Sequence, residues 1–85
     1  MKSLQYVTHG TCSKLIDIRI DGTTIVDVQF LGGCHGNTQG IAALVRGMDA
    51  GEAVRRLEGI DCHGKGTSCP DQLAQALRQL LNADR

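Results

Sequence analysis

Residues 15–31 read Leu15-Ile16-Asp17-Ile18-Arg19-Ile20-Asp21-Gly22-Thr23-Thr24-Ile25-Val26-Asp27-Val28-Gln29-Phe30-Leu31. Ile16, Ile18 and Ile20 alternate with Asp17, Arg19 and Asp21, the period of a strand with one face in a core. Asp21-Gly22 is a strong hairpin signal, because glycine at a tight turn reaches backbone angles closed to other residues. Beyond it Val26, Val28 and Phe30 alternate with Asp27 and Gln29, which predicts a second strand with those three residues inward. Before the hairpin Leu4, Tyr6 and Thr8 alternate with Gln5 and Val7 and end at His9-Gly10-Thr11-Cys12. The first third therefore reads as a three-stranded antiparallel meander.

The rest reads as helices. Asn37 or Thr38 caps a short helix that carries Ile41, Leu44 and Val45 inward and ends near Gly47. Asp49 followed by Glu52 resembles a capping box, with Ala53, Val54 and Leu57 inward and Gly59 placed as a stop. A last helix runs from about Pro70 to Ala83, with Leu73, Leu77, Leu80 and Leu81 along one side. Pro70 fits a first turn, where a missing N–H has no intrahelical partner. Cys69 falls at or beside the N-cap, where the helix dipole favours a thiolate. Strands first and helices after predict an α+β domain of about three helices on one face of the sheet, a single domain over residues 1–85.

Composition narrows the function. Tyr6 and Phe30 are the only aromatic residues among 85, so the core is aliphatic and thin. Domains this small often lean on a metal, disulfides or association for stability. Nine Lys and Arg balance nine Asp and Glu with no basic cluster, which argues against nucleic-acid binding through phosphate neutralisation. The amino-terminal residues lack a signal-peptide apolar run and no stretch is long enough to span a membrane, so the expected location is cytoplasmic.

Four cysteines in a reducing compartment point to metal ligands or working thiols before structural disulfides. In a meander the turn around Cys12 and the strand exit before Cys34 lie at the same end of the sheet. A helix starting at Cys69 and covering that sheet reaches the same end, and Cys62 is a short loop away. Cys12, Cys34, Cys62 and Cys69 are thus the candidate ligand set, for one zinc ion or for an iron–sulfur cluster. All four stand at glycine-rich breaks, whereas cysteines serving as small core hydrophobes belong on apolar faces. A dithiol redox pair is the competing chemistry. His9, His35 and His63 adjoin the same turns, and His35 is the first choice if a histidine replaces a thiolate.

Residues 32–40, Gly-Gly-Cys-His-Gly-Asn-Thr-Gln-Gly, also have the look of a phosphate-cradling loop before a helix. They lack the Lys-Ser/Thr end of a P-loop and the strand–helix–strand frame of a dinucleotide site. Asp17, Asp21 and Asp27 fall on the outward face of the hairpin, and Ser13 and Ser68 have no evident base, so no catalytic constellation emerges.

Thr67-Ser68-Cys69-Pro70-Asp71 resembles the motif that names the TSCPD-domain family. Gly10-Thr11-Cys12-Ser13, Gly32-Gly33-Cys34-His35-Gly36-Asn37, Gly40-Ile41, Gly47-Met48 and Gly59-Ile60-Asp61-Cys62 are similar to its small stand-alone branch with four cysteines. The resemblance implies a metal-binding domain of unassigned activity. It also implies a link to ribonucleotide reductase, since the same domain is found at the C-terminal end of the B12-dependent enzymes. Eighty-five residues are too few for a reductase barrel or a cobalamin site, so the link points to a partner or a lineage, or to a nucleotide-binding module of deoxynucleotide synthesis. The order of strands, cysteines and helices further resembles the U-type iron–sulfur scaffold proteins, whose ligands would fall on Cys12, Cys34 and Cys69. Ser68 and Lys14 depart from that pattern, which carries His and Asp there. An iron–sulfur-scaffold-like fold with Cys62 as fourth ligand is the combined expectation.

Residues 4–8 contain no charge to discourage a second strand. A homodimer is expected, formed either by pairing of this edge or by the sheet face the helices leave open. The charges of Asp17, Arg19, Asp21 and Asp27 on that face favour the edge. A reductase or other protein is the alternative partner.

Overall fold

A computed structural model describes residues 1–8, 13–32, 35–61, 64 and 66–82. Its order is β1 (Lys2–Val7), β2 (Ser13–Asp21), β3 (Thr24–Gly32), α1 (His35–Val45), α2 (Ala50–Leu57) and α3 (Cys69–Leu81). The strands form one antiparallel sheet in the order β1-β2-β3, and the expected α+β meander followed by helices is what the chain forms.

The isoleucines of β2 are the floor of the core. Ile16, Ile18 and Ile20 are fully buried. Leu4 and Val28 flank Ile18 in register, and Tyr6 and Phe30 flank Ile16. Above them lie Ala42 and Val45 of α1, Ala50, Ala53 and Val54 of α2, and Leu73, Ala74, Ala76, Leu77 and Leu80 of α3. Small residues on the helices let their backbones approach an aliphatic sheet closely.

One strand departs from simple alternation. Arg19 pairs with Asp27 but Ile20 pairs with Ile25, so Val26 is the extra residue of a β-bulge. The bulge turns Ile25 inward, 1% exposed, and leaves Val26 40% exposed. This corrects the expectation that Val26 faces the core. The cause is tertiary: the chain between α1 and α2 bonds to this edge, with Gly47 N donating to Ile25 O at 2.8 Å and Ile25 N to Met48 O at 2.9 Å. Ile25→Val should cost about 1 kcal/mol, whereas Val26→Thr should stay within about 0.5 kcal/mol. Urea denaturation of the two variants checks the assignment, and the reverse ranking would disprove the bulge.

The helix expectations hold with shifts. α1 starts at His35, before the two capping candidates, and its buried stripe is Thr38, Ala42 and Val45 with Ile41 alongside. Leu44, expected inward, is 75% exposed, because it lies about 120° around the helix from that stripe. Asp49 caps α2 as expected, accepting from Glu52 N at 3.1 Å. The Glu52 carboxylate turns instead to Arg55 and Arg56, so the box is one-sided. Gly59 follows α2 with φ +82°, a conformation that side chains disfavour. On the outer sheet face Arg19 and Arg46 both pair with Asp27, at 3.1 and 3.0 Å. Arg19 beside Asp27, joined by Arg46, holds its carboxyl below the usual range against partial desolvation.

Candidate metal centre

The five residues 67–71 are fastened by side chains that act on the backbone. Ser68 is the N-cap of α3, with extended φ −156° and ψ 172°. Its Oγ accepts from Asp71 N at 3.1 Å and donates to Ile60 O at 2.6 Å. One hydroxyl therefore satisfies a helix-start N–H and ties the helix to the chain leaving α2. Asp71 does more than face the positive end of the dipole. Its Oδ1 accepts from Gly59 N at 2.7 Å, and its Oδ2 accepts from Thr67 Oγ1 at 2.5 Å and Gln75 Nε2 at 2.8 Å. Thr67 Oγ1 in turn accepts from Gln72 Nε2 at 2.9 Å.

Burial pushes the Asp71 carboxyl up, but the bonds from Thr67, Gly59 and Gln75 together outweigh it and leave it below the ordinary range. Among the described residues no buried side-chain nitrogen or oxygen lacks a partner. Upstream, the Asp61 carboxylate accepts from Gly64 N at 2.6 Å and from Gly66 N. Threonine, serine and aspartate of the motif thus build the start of α3, and Pro70 fits its first turn. Cys69 occupies the first helical position and is half-buried.

Of the four predicted ligands, Cys69 is the one within the described residues. Cys12, Cys34 and Cys62 lie outside them, as do His9, His63 and Lys65. His35 opens α1. Among the described residues no three His, Cys, Asp or Glu side chains group as a metal site. Arg46 is engaged with Asp27 on the sheet.

The flanking residues are described. Ser13, directly after Cys12, stands opposite Gly32, two residues before Cys34, at the same end of the sheet. A second irregularity sits there, since Ser13 pairs with Gly32 and Leu15 with Leu31, leaving Lys14 extra. Tyr6 is at this end too, opposite Ile16, and its hydroxyl donates to Gln75 Oε1 of α3 at 3.5 Å.

The expectation put Cys69 at or beside the N-cap; the cap is Ser68. A serine three residues before an aspartate signals a helix cap, but Gly59 and Ile60 are partners that folding alone supplies. No described helix is long and apolar enough to cross a membrane.

No curated protein and no solved structure matches this chain. The model of the TSCPD domain matches residues 1–81. That match takes in all three strands, all three helices and the fastened motif at the start of α3, and the chain belongs to the TSCPD-domain family.

Proposed function

We propose that this TSCPD domain is a small metal-binding module in which the thiolates of Cys12, Cys34, Cys62 and Cys69 hold one ion, zinc in preference to an iron–sulfur cluster. In this reading it serves a larger protein as an accessory or regulatory part, and its family resemblance makes a ribonucleotide reductase the partner class to test first. The observation that carries the reading is that the neighbours of the cysteines are tethered in two pairs. Ser13 opposite Gly32 tethers the neighbours of Cys12 and Cys34. The Ser68 hydroxyl on Ile60 O tethers the neighbours of Cys69 and Cys62.

Consecutive Cα atoms are about 3.8 Å apart and paired strands about 5 Å. Each cysteine is one or two residues along the chain from its tether. Tyr6 and Gln75 bring α3 into contact with the sheet near the end where Ser13 stands opposite Gly32. Gln75 is less than two turns from Cys69, about 9 Å along the axis. Four thiolates suit a closed tetrahedral zinc site, which holds its ion rather than passing it on.

Elemental analysis of protein purified without oxygen tests this. One zinc per chain is expected, and Cys69→Ala should lose it while keeping its helical circular dichroism. Brown protein with iron and sulfide would replace the ion by a cluster on the same ligands. Protein with neither metal nor sulfide, and with the same melting curve with and without chelator, would overturn the site.

A further inference from the structure

We propose that β1 pairs antiparallel with β1 of a second copy of this chain, across a two-fold axis centred on Gln5, so that the two sheets become one. The two edges of the sheet are built differently. The edge at β3 is occupied near the hairpin, where Gly47 and Met48 bond to Ile25 and Ala50 N donates to Thr23 O at 2.6 Å. Asp27 adds a charge held by Arg46. At the other edge, Thr8 N donates to Lys14 O at 3.2 Å. Antiparallel alternation then turns the N–H and C=O of Leu4 and Tyr6 toward β2, and those of Ser3, Gln5 and Val7 outward. No described residue bonds by its backbone to those three on the outer side. Residues 3–7 carry no charge and no proline, and β1 pairs with β2 without a bulge. Those are the devices that keep exposed edges from pairing.

The register follows from which face each residue occupies. A two-fold between antiparallel copies keeps both helical layers on the same face of the joined sheet. Residues directly opposite each other must therefore both face the helices or both face away. Centring on Gln5 satisfies this. Ser3 meets the partner's Val7, and Gln5 meets its own copy, so every outward N–H and C=O of Ser3, Gln5 and Val7 finds a bond within the strands. Half-buried Leu4 meets the partner's half-buried Tyr6, an apolar–aromatic pair of the kind that stabilises neighbouring strands. Lys2 falls opposite the partner's Thr8 and away from its own copy. A register centred on Leu4 would need Met1, outside the strand, to reach Val7.

The helical layer agrees. Beside Tyr6 an open groove of about 760 Å³ is lined along α3 by Gln75, Gln79 and Asn82. The one basic residue there among the described residues, Arg78, pairs with Glu58 across the same groove. Amides both donate and accept, so a stripe of them is complementary to itself across a two-fold, whereas a stripe of one charge would not be.

Light scattering of the full chain at high micromolar concentration should report a dimer. Gln5→Pro removes one outward N–H and no bond to β2, a substitution that edge strands tolerate. It should give a monomer with unchanged circular dichroism. Gln5→Lys should weaken the dimer at least about tenfold, since it sets two like charges opposite each other, and added salt should restore part of the loss. The Lys variant decides if the Pro variant fails to fold. A monomeric wild type, or a folded Gln5→Pro or Gln5→Lys variant as dimeric as wild type, would overturn the proposal.

Discussion

Asp71→Ala should destabilise the domain by about 3 kcal/mol, because it strands three donors at once. Gly59 N, Thr67 Oγ1 and Gln75 Nε2 all point at this carboxylate, which belongs to a residue 7% exposed. For a chain of this size the loss corresponds to a fall in Tm of more than about 10 °C. The variant also unlinks the exit of α2 from the start of α3, so the segment carrying Cys62 and Cys69 should lose protection from hydrogen exchange first. The effect has a pH signature. The folded carboxyl sits below its ordinary value, so its contribution is fully present above the unfolded pKa of about 3.9 and is lost as pH falls through the lower folded value. The gap in stability between wild type and Asp71→Asn should therefore narrow in acid, and a gap unchanged from neutral pH to about pH 3 would mean that the charge has no part in the bonds.

Ile18→Ala should cost a comparable 3–4 kcal/mol. Ile18 is fully buried at the centre of the sheet, between Leu4 and Val28 and beneath the helices. Its neighbours are held by strands on both sides, which prevents the site from closing over the cavity. With so few large side chains in the core, that loss is a major share of the 5–15 kcal/mol typical of a whole domain. Leu44→Ala is the matched contrast. It removes the same kind of side chain from a position 75% exposed and should change stability by no more than about 0.5 kcal/mol. Thermal melts of both variants compare the two directly, and similar losses would mean that α1 is turned differently on the sheet.

The meander was legible because each of its signals is local. Three isoleucines at period two, Asp-Gly at the reversal and apolar residues in the flanking runs need no knowledge of the rest of the chain. The start of α2 was legible for the same reason, since Asp49 acts on an N–H three residues away. Pro70 marked the first turn of α3, but Ser68 was not singled out as its cap. Where α1 turns its buried stripe was not legible. Ile41, Leu44 and Val45 are a plausible apolar face in isolation, yet the helix buries Thr38, Ala42 and Val45, because a small-residue stripe lets it sit closer to β3.

The candidate site divides in the same way. That Cys69 stands in the first turn of a helix was decided by sequence, since Ser68, Pro70 and Asp71 are start signals whatever surrounds them. That the start of this helix is bolted to Gly59 and Ile60 was decided by tertiary structure, through bonds spanning 12 and 8 residues. The bulge at Val26 belongs there too. Alternation in the sequence put Val26 in the core, and only the approach of Gly47 and Met48 to the edge of β3 exchanged it for Ile25. A periodic pattern selects an element and its apolar side, but which residue occupies that side is settled by the partner that arrives to pair with it.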